Sequence, residues 1–387
     1  MEPKEEIRNR LDIVDVINEY VALKPAGVNH KALCPFHTEK TPSFMVSRDR
    51  QTWRCFGCSE GGDLFSFIMK MEGLDFPGAL KLLAQKAGVI LRRTDPVLAS
   101  RRNTLLAVAE AAAEFWHTLL TDNPNAEAVR RYVRERKISD QTVESFQLGW
   151  APDSWDSTSQ HLRQRGFTDT DIFEAGLSVK KERGSGFYDR FRHRLVFPIH
   201  DSHGQVVGFG GRILPGGGEE GAKYLNTPQT IIYNKSAILY NLHRAKSDIR
   251  ARDQVVLVEG YMDAIASYEA GVKNVVAVSG TALTAEQVKR LKYFTSNLAI
   301  AFDMDPAGAA AAWRGIDVAL TAECNVKVIT LPFGKDPDEC IRRDLAAWAT
   351  AVGSAVEFME YCFRKTLERY PPTGAGNKKR AVSLLLA

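Results

Sequence analysis

Two groups of residues carry types and spacings that can do chemistry. Cys34 and His37, followed by Cys55 and Cys58, form the pattern C-x2-H-x17-C-x2-C. Each close pair can grip one metal ion from a tight turn. Four sulfur and nitrogen ligands with no open position make a closed, tetrahedral and therefore structural zinc site. The second group is hard oxygen: Glu259, then Asp303 and Asp305, then Asp336 and Asp338. Such ligands suit magnesium, and paired divalent ions are the usual apparatus of phosphoryl transfer. A chain that carries both groups reads as one that handles nucleic acid.

The elements around the acids place them. From 254 to 331 apolar strands alternate with helices: strand Gln254–Val258, helix 261–270, strand Asn274–Val278, helix 284–294, strand Leu298–Phe302, helix 306–322 and strand Val326–Leu331. This is the pattern of a parallel, doubly wound α/β sheet covered on both faces. Glu259 and Asp303 directly follow two of these strands, and Asp336 and Asp338 lie just beyond the last. Parallel strands share a direction, so these acids gather on the carboxyl edge, where such folds keep their active sites. Gathered carboxylates repel one another unless cations sit between them. A phosphatase reading, with Asp303 as the nucleophile of a D-x-D loop, would want threonine where Ala307 stands.

Around the cysteines the expected elements are an amphipathic helix over 4–20, with Ile7, Leu11, Val14 and Ile17 on one face, a ribbon of short strands to about 62, and helices 63–71 and 76–87. Lys31, Lys40, Phe44, Arg48, Arg50, Trp53 and Arg54 are the ribbon's candidates for cations and aromatics that hold unpaired bases. Residues 92–103 are charged, contain proline and lack periodicity, which predicts a mobile linker. Helices follow to about 180, then strands to 240 with a hairpin turn at 200–204.

Length and composition bound the rest. The 387 residues suffice for two or three domains, and 44% hydrophobic with 25% charged residues is ordinary for a globular protein. No apolar run approaches the roughly 18 residues of a membrane span, and the N-terminus lacks a signal peptide's pattern, so the expectation is cytoplasmic with no membrane partner. Of the six cysteines, the three outside the metal motif, Cys324, Cys340 and Cys362, read as buried free thiols. Net charge is only +4, yet residues 180–250 hold 12 Lys/Arg against 6 Asp/Glu. This basic middle is an electrostatic footprint for a polyanion. In it, period two would put Arg190, Arg192 and Arg194 on one strand face.

The motifs, in this order, resemble a bacterial replicative primase of the DnaG type. The blocks that carry the resemblance are Leu33–Phe44, Cys55-Phe56-Gly57-Cys58, Asp189-Arg190-Phe191-Arg192, Gly208-Phe209-Gly210-Gly211-Arg212, Lys223-Tyr224-Leu225-Asn226-Thr227-Pro228, Val258–Asp263 and Phe302–Gly308. The resemblance implies an α/β multidomain protein. Its expected parts are a zinc-ribbon DNA-binding domain over 1–91, the linker 92–103, a basic α+β half of an RNA-polymerase domain over 104–250, a Toprim catalytic subdomain over 251–338, and a helical segment over 339–387 that reads as truncated. It implies DNA-templated synthesis of short RNA primers by nucleotidyl transfer. It implies one structural Zn2+, and two or more Mg2+ (or Mn2+) ions on Glu259, Asp263, Asp303, Asp305, Asp336 and Asp338, with Glu259, Asp303 and Asp305 catalytic. Arg190, Arg192, Arg212, Lys223, Tyr224, Asn226 and Lys235 match the family's template- and nucleotide-binding residues. The implied partners of a monomer are single-stranded DNA, ribonucleoside triphosphates, the replicative helicase and single-strand binding protein. A fused phage-type primase–helicase would need a P-loop, and a Toprim topoisomerase would need a large extra domain; neither is in this sequence.

Overall fold

The computed structural model describes residues 3–89, 96–182, 184–216, 222–280, 282–301 and 306–385. The N-terminal unit begins with two helices, α1 (Pro3–Arg10) and α2 (Ile13–Asn18), rather than one over 4–20. Asp12 ends the first by capping the second: its carboxylate accepts from the Val14 N–H at 2.8 Å, an alternative to helix that Asp offers the backbone. Strands β1 (Lys24–Ala26), β2 (Asn29–Ala32), β3 (Phe44–Ser47), β4 (Thr52–Cys55) and β5 (Gly61–Asp63) form an antiparallel sheet in sequential order. Helices α3 (Leu64–Glu72) and α4 (Phe76–Ala87) back it, each capped by an Asp and stopped by a left-handed glycine.

Alternation decides which ribbon side chains can meet a ligand. Ala32, Phe44, Val46, Trp53 and Cys55 point inward and are buried, and Phe44 stacks on Trp53 at 5.3 Å. Phe44 and Trp53 are thus core and not a base-stacking surface. The outward row is Lys24, Lys31, Met45 and Arg54, opposite one another across four strands.

Helix α5 (Pro96–Thr121) crosses the segment expected to be a linker. Pro96 suits a first helical position, and Arg101 is fixed by ion pairs to Asp171 and Glu174; residues 92–95 lie outside the described residues. Short helices α6 (Glu127–Glu135), α7 (Asp140–Ser145), α8 (Ser157–Gln164) and α9 (Asp169–Glu174) surround a sheet of β6 (Gly149–Ala151), β9 (Arg194–His200), β10 (Val206–Ile213) and β11 (Tyr224–Asn226), in order β11-β10-β9-β6. A separate hairpin pairs β7 (Ser178–Lys180) with β8 (Phe187–Asp189). The strand expected to carry Arg190, Arg192 and Arg194 on one face is not continuous. Residues 190–193 leave the sheet, His193 takes φ +50°, and Arg194 is buried, donating to the Gly211 carbonyl at 3.0 Å.

After α10 (Leu242–Arg252) comes the expected α/β sheet: β12 (Val255–Val258), β13 (Val275–Ala277), β14 (Asn297–Ile300) and β15 (Asn325–Val328) are parallel, in order β13-β12-β14-β15. All of β12 and β13 is buried. Helices α11 (Tyr261–Glu269), α12 (Ala285–Leu291) and α13 (Pro306–Thr321) make the crossovers. Beyond them lie α14 (Pro337–Arg343), α15 (Leu345–Gly353), a short antiparallel strand β16 (Val356–Glu357) on the edge of β15, α16 (Phe358–Arg369) and α17 (Ala375–Leu385). None of the described helices is long and apolar enough to cross a membrane.

The ribbon unit rests on the end of this sheet opposite Glu259. Lys246 pairs with Glu72 at 2.6 Å, the Arg250 guanidinium donates to the Lys70 carbonyl, and Arg250 lies 4.7 Å from the Phe294 ring centroid. Arg250 lies in the last turn of α10, which leads into β12, and Phe294 precedes β14, so both mark the amino edge of the strands.

Candidate metal and nucleic-acid sites

The knuckles before β3 and after β4 bring Cys34, His37, Cys55 and Cys58 together, with their ligand atoms all within 4.8 Å of one another. Cys34 Sγ lies 4.0 Å from Cys58 Sγ, and Cys55 Sγ lies 3.8 Å from His37 Nδ1. A tetrahedron with Zn–S near 2.3 Å has edges of about 3.8 Å, so the four residues fit zinc as they stand. His37 turns Nδ1 inward while Nε2 faces the Glu39 carboxylate at 3.3 Å, the outer contact that orients a ligating imidazole. Glu39 also accepts from the Cys34 and Ser43 N–H groups at 2.8 and 3.0 Å. Burial acts to raise its carboxyl, but these bonds and His37 hold it below the usual range.

Burial pushes the Cys34 thiol up. At Cys55 burial is outweighed by bonds from Ser43 and from the Cys58 and Gly57 N–H groups, and the thiol is lowered. Three sulfurs this close lose their protons together only around a cation. Gly57 is required by proximity: a Cβ there would stand 2.6 Å from His37 Nε2.

Glu259, Asp263, Asp336 and Asp338 are distributed along the carboxyl edge of the parallel sheet. Glu259 follows β12. Asp263, in the first turn of α11, is 7% exposed and accepts from the Gly260 N–H and from the Asp338 N–H, both at 3.1 Å. Asp336 caps α14, accepting from the Glu339 N–H at 2.7 Å. Asp338 is 3% exposed. Its Oδ2 meets the Arg136 guanidinium and, at 3.3 Å, Arg342 Nε, while its Oδ1 is buried without a hydrogen-bond partner. The structure therefore joins α11 to α14 through Asp263 and Asp338 and leaves one orphaned carboxylate oxygen, which suits a hard cation. Asp303 and Asp305 lie outside the described residues. Among the described residues, the cysteine–histidine cluster is the one group of three or more ligands gathered within 4.8 Å. Asp263, Asp336 and Asp338 are instead engaged by backbone N–H groups and arginines.

The basic candidates fall into two places. Arg212 on β10 and Tyr224 on β11 are register partners, and Arg212 Nη1 donates to Tyr224 Oη at 2.9 Å. Lys223 is exposed, 5.9 Å from the Tyr224 ring centroid. Asn226 and Lys235 reach the turn after β13, donating to the Ser279 carbonyl at 3.4 Å and the Gly280 carbonyl at 3.2 Å. Burial lowers the Lys235 ammonium. Elsewhere, Arg192 lies 3.9 Å over the Trp155 ring centroid and 5.1 Å from that of Tyr188. Arg190 is half-buried, its Nε without a partner. Arg192 thus sits against Trp155 and Tyr188, while Arg212 and Lys223 sit against Tyr224.

Three residues join these groups that the motif reading passed over. Tyr132 and Arg136, one turn apart on and just after α6, pack beside Arg212 and onto Asp338. Their i, i+4 spacing gave a weak signal. Trp155, 64% exposed, stands in the polar stretch Asp153-Ser154-Trp155-Asp156, and a large aromatic there was the usable signal.

Comparison with known proteins fits this geometry. Residues 2–98 match the CHC2 zinc finger, residues 115–246 the N-terminal domain of the DNA primase catalytic core, and residues 256–341 a Toprim-like domain. A DNA primase of Halalkalibacterium halodurans is 42% identical over 342 residues, which cover 88% of this chain and 57% of that protein. One from Geobacillus stearothermophilus is 43% identical over 87% of this chain and 57% of its own length. The chain therefore spans somewhat under two thirds of the curated relatives it matches. The zinc-binding and RNA-polymerase domains of Aquifex aeolicus primase align with a TM-score of 0.62 at 31% identity, covering 99% of this chain and 96% of that one. The RNA-polymerase domain of Mycobacterium tuberculosis DnaG aligns with a TM-score of 0.65 at 35% identity, covering 73% and 93%. With a zinc cluster, a basic middle and an acid-edged parallel sheet in the same order, the chain belongs to the bacterial DNA primase family of the DnaG type.

Proposed function

We propose that the chain synthesises short RNA primers on single-stranded DNA, joining ribonucleoside triphosphates by metal-dependent nucleotidyl transfer. The observation that carries this is the placement of Glu259, Asp263, Asp336 and Asp338 on one sheet edge, with Arg136, Arg212 and Tyr224 packed against it. In the reaction the 3′ hydroxyl of one bound nucleotide attacks the α-phosphate of the next, and pyrophosphate leaves. Magnesium on Glu259, Asp263, Asp303, Asp305, Asp336 and Asp338 would lower the charge on the phosphates and activate the attacking oxygen. The orphaned Asp338 Oδ1 is the feature of this chain that supports such a site.

The chain's own side chains do the rest. Arg212, Lys223 and Lys235 bind triphosphate and backbone phosphate, while Arg190, Arg192 and Trp155 hold template, the indole by stacking on a base. On the ribbon, the outward row of Lys24, Lys31 and Arg54 with exposed Phe56, over which Arg54 lies at 5.7 Å, is a second surface for unpaired bases. One relative's DnaG catalytic domain has been solved bound to single-stranded DNA, in keeping with this template. We assign one zinc per chain to the cysteine–histidine cluster. The replicative helicase and single-strand binding protein of a cytoplasmic replication fork are the partners this reading implies.

The test is incorporation of labelled ribonucleotides on a library of single-stranded templates, with magnesium and then manganese. Template-dependent RNA of short, defined length is expected, lost in Glu259→Gln while DNA binding persists. Incorporation that ignores the template, or survives in Glu259→Gln, would overturn the reading.

A further inference from the structure

Asn226 is assigned to nucleotide by family resemblance, yet both ends of its amide are held by the protein. Its Nδ2 donates to the Ser279 carbonyl at 3.4 Å, and its Oδ1 accepts from Tyr261 Oη at 2.7 Å. The two partners converge on Glu259. Ser279 N–H donates to the Glu259 carbonyl at 2.8 Å, extending the β12–β13 ladder one step past the strand ends. Tyr261 opens α11, two residues after Glu259. A closed circuit results: Glu259 carbonyl to Ser279, Ser279 to Asn226, Asn226 to Tyr261, and Tyr261 back along the chain to Glu259.

The circuit is rigid for identifiable reasons. Ser279 is a buried non-glycine residue at φ +56°, followed by Gly280 at φ +81°. A left-handed serine costs energy and persists where surrounding contacts over-determine it. Here those contacts are the Asn226 and Lys235 bonds to two successive carbonyls. Tyr261 is 2% exposed, stacked on Phe197 at 5.2 Å with rings 7° apart, and edge-on to Tyr240 at 4.9 Å. Its ring lies so close to β10 that a Cβ at Gly210 would stand 2.3 Å from it. The phenol therefore presents its hydroxyl to Asn226 from a fixed position.

We infer that Tyr261, Asn226 and Ser279 are positioning residues that hold the Glu259 backbone, and so aim its carboxylate at a divalent cation. This rests on reading Glu259 as a metal ligand in primer synthesis. Asn226 then acts through the turn at 279–280 rather than by touching substrate.

The experiment titrates Mn2+ into the zinc-loaded full chain, following free Mn2+ by electron paramagnetic resonance. Tyr261→Phe keeps the packed ring and removes one hydroxyl. Asn226→Asp keeps an acceptor for that hydroxyl but loses the donor to Ser279. Each is expected to weaken Mn2+ binding about three- to tenfold, the size of one lost hydrogen bond, and to raise by a similar factor the Mg2+ concentration needed for half-maximal synthesis. Nucleotide KM and DNA affinity should stay near wild type. A wild-type chain that binds no Mn2+ overturns the functional reading and this inference with it. Wild-type binding equalled by Tyr261→Phe and Asn226→Asp overturns the inference alone. So does an Asn226→Asp variant with unchanged Mn2+ binding and a raised nucleotide KM, which would make Asn226 a nucleotide contact.

Discussion

Replacing Arg136 by methionine leaves the Asp338 carboxylate without its principal counter-charge. Arg136 belongs to the basic half of the catalytic body and Asp338 to the Toprim-like half, 202 residues apart in sequence. The two side chains are 18% and 5% exposed. Two unit charges about 4 Å apart attract by about 4 kcal/mol at an effective dielectric near 20. Part of that survives the substitution, because Arg342 stays 3.3 Å from the same oxygen. Part was already offset by desolvation of the pair. We therefore expect Arg136→Met to cost about 2 kcal/mol, roughly half the Coulomb figure. Asp338→Asn should cost a similar amount, and the double variant little more than either single one. The assay is urea unfolding of all four proteins, followed by the fluorescence of the six tryptophans, among them Trp348, which is fully buried on α15 beside α14. A coupling energy under about 0.5 kcal/mol would be that of independent sites and would refute the pairing. If the orphaned oxygen of Asp338 meets a cation, millimolar magnesium should recover part of the loss in Arg136→Met and none in Asp338→Asn.

Cys58→Ser should lose zinc from the ribbon and unfold it while the catalytic body keeps its cooperative transition; metal analysis finding full zinc in that variant would contradict the site. Stability should fall on acidification from pH 6.5 toward 4. Burial lowers His200 to about 4 and His243 to about 2, with Arg244 adding to both shifts, and the ring centroids lie 4.4 Å apart with the planes tilted by 36°. Their folded pKa values lie below the unfolded ones, so the stability is complete above the unfolded pKa and is lost as pH drops. The slope should be about 1.4 kcal/mol per pH unit for each imidazole that must take up a proton, and replacing both by asparagine should flatten it. Trp155→Ala should weaken single-stranded DNA binding by about 1–3 kcal/mol with an unchanged salt slope, whereas Lys223→Ala should reduce that slope by roughly 0.7; the reverse pattern would exchange their roles.

The sheet and its acid-bearing edge were legible because they are local. Val255–Val258 and Leu298–Ile300 are short apolar runs bounded by breakers, and Glu259 follows the first of them directly. The zinc cluster was legible from spacing alone. Other features depend on contacts far apart in sequence. The pairing of Arg136 with Asp338, and the bridge from Tyr261 through Asn226 to Ser279, follow from how β10, β11 and β13 are brought side by side. Strand β16 is two residues long, too short for any period. The core role of Phe44 and Trp53 was readable in principle, because period two from buried Cys55 points Trp53 inward. Their aromatic character suggested a ligand surface, and alternation outweighed it. The helix over 96–103 shows the converse: charge and a proline read as a linker, but the proline opens a helix and the charges are paired.

The contact between Gly210 and Tyr261 bears on how chains of this kind can drift. The strand gives up a side chain, and β propensity with it, so that an aromatic ring from the neighbouring unit can enter. Any residue larger than glycine at 210 would meet that ring, and any smaller residue at 261 would leave a cavity beneath β10 and Asn226 without its donor. Each change is harmful alone and less harmful in company. The two positions should therefore be replaced together or not at all, and their joint history would be visible as correlated substitution between two stretches of sequence that no local pattern connects.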